Sequence, residues 1–145
     1  MYFVDREKIE DTLRFLEGQM QLFESHNYWE SAIERAALER LTHTMIESIL
    51  DVGNAIIDGF IMRDPGSYED IVDILDDEKV ISKDMSDDFK LFIKYRKNLV
   101  QGYINIDHDE LLNILESHLS NVKQFPQRVR EYLENELGPV SAFKN

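Results

Sequence analysis

The chain contains no cysteine, and its 145 residues include only 3 prolines and 6 glycines. Without cysteine there can be no disulfide, no thiolate metal ligand and no cysteine nucleophile, which fits a cytoplasmic location. No run of about 18 apolar residues is present, so we expect no transmembrane helix. The first residues, MYFVDREKIED, lack a basic region followed by an apolar one, and we expect no signal peptide there.

Positive charge is also scarce, with 16 Lys and Arg against 29 Asp and Glu and a net charge of −13 at pH 7. Because non-specific affinity for nucleic acids comes from neutralising phosphates, this balance excludes a general nucleic-acid coat but allows a small local RNA site. The densest basic cluster comprises Lys90, Lys94, Arg96 and Lys97. It is interpreted either as a solvated helix face that balances acidic neighbours or as a phosphate contact.

Apolar residues recur at three- and four-residue spacings through most of the chain, and no segment shows the alternation of a strand. We therefore expect a single all-α domain over residues 1–145, folded as an up-and-down bundle of about five helices with one short helix between the second and fourth. The expected helices cover residues 6–26, 29–61, 68–75, 83–100 and 108–137, and the last should kink or restart at Pro126. The second should present one apolar face, formed by Ile33, Ala37, Leu41, Met45, Ile49, Val52 and Ile56.

The stretch FKLFIKYRKNLVQGY, residues 89–103, places Arg96 on an apolar helical stripe that runs from Phe89 to Val100 and Tyr103. A guanidinium in such a place cannot shed its proton, so it needs an anionic or carbonyl partner. Glu47 and Asp51, in the polar row of the second helix, are the candidate partners. A structural ion pair explains this position as well as a functional role does.

The same stretch resembles the signature of the HepT-like branch of the HEPN ribonucleases. In that family an Arg is followed five positions later by a His and two further on by a Tyr, with Asn and Leu-Val inside the span. The chain has Arg96, Asn98, Leu99, Val100 and Tyr103 at the corresponding positions. The resemblance extends to the segments HTMIESILDVGNAIIDGF and RDPGSYEDIVDIL and to Asn-Ile-Asp after the Tyr.

The resemblance implies an α-helical bundle that acts as a homodimer, with paired motifs meeting across the interface, and that cleaves RNA without a metal or other cofactor. Arg96 would stabilise charge on the phosphate, and Asn98 would be associated with the motif. Tyr103 would be the residue that a nucleotidyltransferase antitoxin modifies with AMP. The implied protein is the toxin component of a toxin–antitoxin pair, with no role at a membrane.

Gln101 stands where the family has its catalytic His. A carboxamide does not titrate between about pH 5 and 8, so it cannot act as general acid or base. Loss of such a group costs a factor of about 10²–10⁴ in rate. Cleavage is therefore weakened or lost, unless His43 or His108 substitutes. The alternative is a non-catalytic dimeric helical module that binds RNA, a nucleotide or a nucleotidyltransferase partner.

A carboxylate-bridged metal site in the bundle is a third hypothesis, because such sites use Glu-x-x-His pairs on facing helices. The nearest match, Glu39 to His43, is spaced by four residues rather than three. His43 has no second His at ligand spacing and is expected at the surface. We expect no metal site.

Overall fold

The computed structural model describes residues 3–139, and that part of the chain is all helical, without a strand. This confirms the predicted all-α bundle. The helices are α1 (Arg6–Glu24), α2 (Ala32–Gly59), α3 (Tyr68–Asp77), α4 (Lys83–Ile93), α5 (Tyr95–Val100) and α6 (His108–Leu137).

Side-chain caps set the start of most helices. Asp5 accepts a hydrogen bond from the backbone of Lys8 at the start of α1. At α2, Ser31 and Glu34 form a reciprocal capping box, which explains why this helix begins later than the predicted residue 29. Further N-caps are Ser67, Ser82 and Asp107.

Helix α2 is the centre of the bundle and contacts α1, α3, α5 and α6. Burial on α2 begins at Leu38, whereas Ile33 is 83% exposed and Ala37 is exposed. The predicted apolar face is therefore wrong over its first turns. These turns lie at the rim of the described bundle, where their apolar side chains face away from the core.

Helix α2 also ends two residues before the predicted position. The N–H groups of Ile61 and Met62 donate to the carbonyls of Asp58 and Ile57, which closes the helix end. Ile61 adopts a left-handed conformation with φ of 55°. A β-branched residue is strained in that region, so apolar periodicity could not mark this end.

The predicted fourth helix is divided in two at Lys94. The interruption is a single residue, and Lys94 keeps right-handed helical angles, with φ of −58° and ψ of −28°. Phe89 is fully buried on α4, whereas Val100 and Tyr103 are exposed beyond the break. The predicted single apolar stripe is therefore wrong, and the break instead directs α5 toward α2.

Helix α6 continues through Pro126, so the predicted restart at that residue is wrong. Pro126 and its neighbour Phe125 are buried, and Phe125 packs edge-to-face on Phe89 of α4 at 5.6 Å. Tertiary packing here outweighs the hydrogen bond that proline removes. Gly138, with φ of 80°, ends α6 as predicted. None of the helices over residues 3–139 is both long and apolar enough to cross a membrane.

Helices α1 and α6 are joined by a charge network centred on Arg130. Its guanidinium donates to both carboxylate oxygens of Glu10 and to both of Glu17, at 2.8 to 2.9 Å. These hydrogen bonds hold the pKa of each glutamate below its usual value of 4.5. A depressed carboxyl pKa stabilises the fold above the unfolded pKa, and this contribution is lost as the pH falls through the folded value.

We predict that Arg130→Gln lowers the free energy of unfolding at pH 7 by about 1 kcal/mol, because solvent screens these partly exposed groups. That corresponds to about 3 °C in melting temperature. The difference from the parent should shrink as the pH drops below 4.5, where Glu10 and Glu17 take up protons in the unfolded chain. Thermal melts across pH measure it, with exposed Arg35→Gln as control. A difference that stayed constant with pH would contradict this account.

Candidate functional site

Arg96 lies where α5 meets α2 and α3. Its Nε donates to Oε1 of Glu47 on α2, and its guanidinium carbon lies 4.6 Å from the ring centroid of Tyr68 on α3. The side chain is 26% exposed. The hydrogen bond from Arg96 to Glu47 raises the pKa of the guanidinium. A permanent positive charge is thus held by a carboxylate and an aromatic face.

Asp51, the other candidate partner, lies one turn beyond Glu47 on α2 and is exposed. The structure pairs Arg96 with Glu47 through a hydrogen bond, whereas Arg96 acts on Asp51 only as a nearby charge. Partial desolvation, followed by the charge of Glu47, raises the pKa of Asp51. The site therefore holds two neighbouring carboxylates, one directly compensated by Arg96.

His43 lies one turn before Glu47, with its Nε2 3.5 Å from Glu47 Oε1. That oxygen also accepts the hydrogen bond from Arg96, so an imidazole and a guanidinium share one carboxylate atom. His43 is partly buried, which departs from the expected surface position. The spacing of four residues between His43 and Glu47 was the available sequence signal, because such pairs meet on one helix face.

A small cavity of about 230 Å³ lies beside this cluster, between α2 and α5. It is lined by Ala36, Glu39, Arg40, His43 and Leu99. Glu39 is held by α6, where Nε2 of His108 lies 2.7 Å from its Oε2. This pairing accounts for Glu39, and no group of three or more metal-binding side chains occurs among residues 3–139.

Gln101 ends α5, and its side chain is exposed. Its backbone N–H donates to the carbonyl of Lys97 at 2.8 Å, and the chain then turns at Gly102. A Cβ at Gly102 would lie only 3.1 Å from the carbonyl oxygen of Asn98, so glycine permits this tight turn. Asn98 and Tyr103 are exposed here, Tyr103 by 64%. The motif is thus divided between an anchored Arg96 and an accessible turn.

The basic cluster around Arg96 is largely balanced by acidic side chains of neighbouring helices. Lys90 pairs with Asp73 of α3, and Nζ of Lys94 lies 3.6 Å from Oε1 of Glu69. Lys97 is exposed at the same end of the bundle. These pairs favour the interpretation of a solvated, charge-balanced face over a continuous phosphate track.

The larger cavity, of about 970 Å³, lies between the ends of α1 and α6, around Arg130 and Glu10. None of the site residues predicted from the sequence lines it. Arg130 and Glu10 in its lining are already engaged in the network that joins the two helices. The smaller cavity at His43 therefore remains the one associated with the motif.

Comparison with known proteins identifies relatives of this chain over most of its length. The family model "Ribonuclease HepT-like" matches residues 6–129. The Bacillus subtilis (strain 168) protein named "Putative RNase YutE" is 57% identical over 144 residues, with 99% of this chain and all of that protein covered. The solved structure of YutE, described as a cytosolic protein of unknown function, superimposes with a TM-score of 0.95 over 99% of this chain and 100% of that one.

More distant solved structures have the same fold. A mutant of the MntA-HpeT toxin–antitoxin has a TM-score of 0.74 at 16% identity, covering 85% of this chain and 98% of that chain. A tri-AMPylated HEPN toxin of Shewanella oneidensis, in complex with an MNT antitoxin, has a TM-score of 0.72 at 17% identity over 86% and 95%. The family model covers most of the chain and matches the resemblance seen in the motif, so this chain belongs to the HepT-like ribonuclease family.

Proposed function

We propose that this protein is a metal-independent endoribonuclease of the HepT type, the toxin component of a toxin–antitoxin pair, in which Gln101 leaves cleavage weak. Arg96 carries the proposal, because it is a permanently charged group held partly buried beside a small cavity. Membership of the HepT-like family supports RNA as the substrate.

Arg96 is suited to stabilise negative charge on a phosphate. RNA cleavage through the 2′-hydroxyl builds charge on a phosphorane, and cationic donors aimed at that charge lower the barrier. Nε of Arg96 is occupied by Glu47, while the planar guanidinium carries further N–H donors. A phosphate can use those donors, or exchange with Glu47, without removing the cation from its position over Tyr68.

The exposed turn after α5 suits the second part of the proposal, which is control by a nucleotidyltransferase antitoxin. Tyr103 is accessible enough to accept an AMP group, and solved relatives of the same fold include an AMPylated toxin with its antitoxin. We further propose a cytoplasmic single-domain protein that forms a homodimer through the motif-bearing face, as is usual in the family.

A non-catalytic module that binds RNA, a nucleotide or the partner is the second candidate. The observation that favours it is that Arg96 already has a carboxylate and an aromatic partner, Glu47 and Tyr68, while Gln101 supplies no titratable group. A protein of this kind would bind the same ligands through the same turn without breaking them.

We predict that Gln101→His raises the rate of RNA cleavage by a factor of about 10²–10⁴, because it restores a group that titrates near neutral pH. Arg96→Ala should abolish cleavage in both backgrounds. The measurement is cleavage of end-labelled single-stranded RNA and tRNA in the presence of EDTA.

The matched control is Gln124→His, which places the same residue at an exposed position on α6 far along the chain from the motif. Cleavage by Gln101→His that survives Arg96→Ala would contradict the proposed role of Arg96. If neither the parent nor Gln101→His cleaves, the non-catalytic alternative replaces the enzyme.

We also predict that the chain, incubated with ATP and a nucleotidyltransferase antitoxin of the MNT type, gains AMP on Tyr103. Mass spectrometry of the intact protein and of its peptides measures the modification. Tyr103→Phe should remove the label, whereas Tyr28→Phe, a change at another exposed tyrosine, should retain it. Labelling that persists in Tyr103→Phe would contradict the assignment.

A further inference from the structure

RNA cleavage of the HepT type that lacks the motif His still needs another group to take the proton of the 2′-hydroxyl. The identity of that group matters only if the proposed ribonuclease function holds, and the inference rests on it. The chain has four histidines. Three of them lie within 2.7 Å of a carboxylate oxygen, and these are His26 with Glu34, His108 with Glu39 and His118 with Asp88. His43 differs, because its nearest carboxylate oxygen is 3.5 Å away and is already bonded to Arg96.

We infer that His43 is the general base behind the weak cleavage that remains in this protein, and that it stands in only partly for the imidazole that Gln101 does not supply. His43 lines the small cavity between α2 and α5, and Leu99, two residues before Gln101, lines the same cavity. Arg96 meets His43 across the single oxygen Oε1 of Glu47. The base and the phosphate-stabilising cation are thereby brought together from two helices.

Glu47 acts as a positioning residue for both partners. Nε2 of His43 faces Oε1 of Glu47 at 3.5 Å. In the proposed mechanism the ring proton is assigned to that nitrogen, which leaves the lone pair of Nδ1 for the substrate. A carboxylate that fixes the tautomer and stabilises the imidazolium is a recurrent arrangement around catalytic histidines. The same oxygen accepts the hydrogen bond from Nε of Arg96.

The proposed cleavage transfers the phosphoryl group within the RNA, from the 5′-oxygen of the next nucleotide to the 2′-oxygen. Nδ1 of His43 accepts the proton of a 2′-hydroxyl, and the 2′-oxygen forms a bond to the adjacent phosphorus. The bond from phosphorus to the 5′-oxygen of the next nucleotide breaks, and that oxygen receives the proton of the His43 imidazolium, directly or relayed through one water, which returns His43 to its starting state. The products are a 2′,3′-cyclic phosphate and a 5′-hydroxyl, and Arg96 balances the charge of the phosphorane between them.

The size of the cavity, about 230 Å³, suits one sugar-phosphate unit of a single strand. That volume is smaller than ordinary ligand pockets, which span about 300–1,000 Å³, so the cavity admits one unit of an unpaired strand and not a paired helix. Arg40 lines the cavity and places a second cation near a phosphate bound there. Unpaired RNA is therefore the substrate class that the geometry favours.

The test uses the full-length protein, a single-stranded RNA of mixed sequence and its all-2′-deoxy counterpart as a binding probe that cannot be cleaved. His43→Ala should lower the cleavage rate at least about 100-fold, as expected for loss of a general base. Its affinity for the deoxy probe should stay within about threefold of the parent. Added imidazole should restore cleavage in His43→Ala and leave Arg96→Ala inactive. His26→Ala, whose partner Glu34 does not line the cavity, should cleave within a few-fold of the parent.

Three other results would overturn the inference, and each identifies which part of it is wrong. If His43→Ala cleaves within threefold of the parent while Arg96→Ala is inactive, His43 is not the base and the proposed ribonuclease stands. If His43→Ala is folded and inactive but imidazole does not restore it, the role of His43 is structural. If the parent protein itself leaves the RNA intact, both the proposed ribonuclease and the role of His43 fall.

Discussion

The structure around the motif depends on one ion pair, the hydrogen bond from Arg96 on α5 to Glu47 on α2. Helix α5 has only six residues, and its main packing is on α2 and α4. Because both side chains are partly exposed, solvent screens the pair, which contributes up to about 1 kcal/mol. This pair therefore fixes the short helix and, through it, the position of the turn that carries Gln101 and Tyr103.

Much of the fold could be predicted from the sequence because capping and periodicity act locally. Asp5, Ser67, Ser82 and Asp107 mark helix starts through their own side chains, and the structure confirms them. The break at Lys94 left no such signal, since no Gly or Pro occurs near it. The continuity of α6 through Pro126 depends on burial against other helices, which a local rule cannot include.

The site was predictable only in part. The need of Arg96 for an anion follows from its chemistry, and Glu47 was one of two carboxylates at suitable positions on α2. The choice between Glu47 and Asp51 depends on how the break before α5 orients the guanidinium, which is a tertiary property. The sequence predicts a surface position for His43 because a lone histidine has no metal-ligand spacing, whereas its four-residue spacing from Glu47 places both on one helix face.

The central claim is that Arg96 is held in place by Glu47 and remains able to bind a phosphate. The most direct measurement is the ¹⁵N-detected signal of Arg96 Nε while single-stranded all-deoxy oligonucleotide is added. Arg130 is an internal control, because it is also paired with carboxylates, between α1 and α6. The account predicts a saturable change at Arg96 and none at Arg130. An Arg96 signal that does not move, or that moves only together with Arg130, would contradict it.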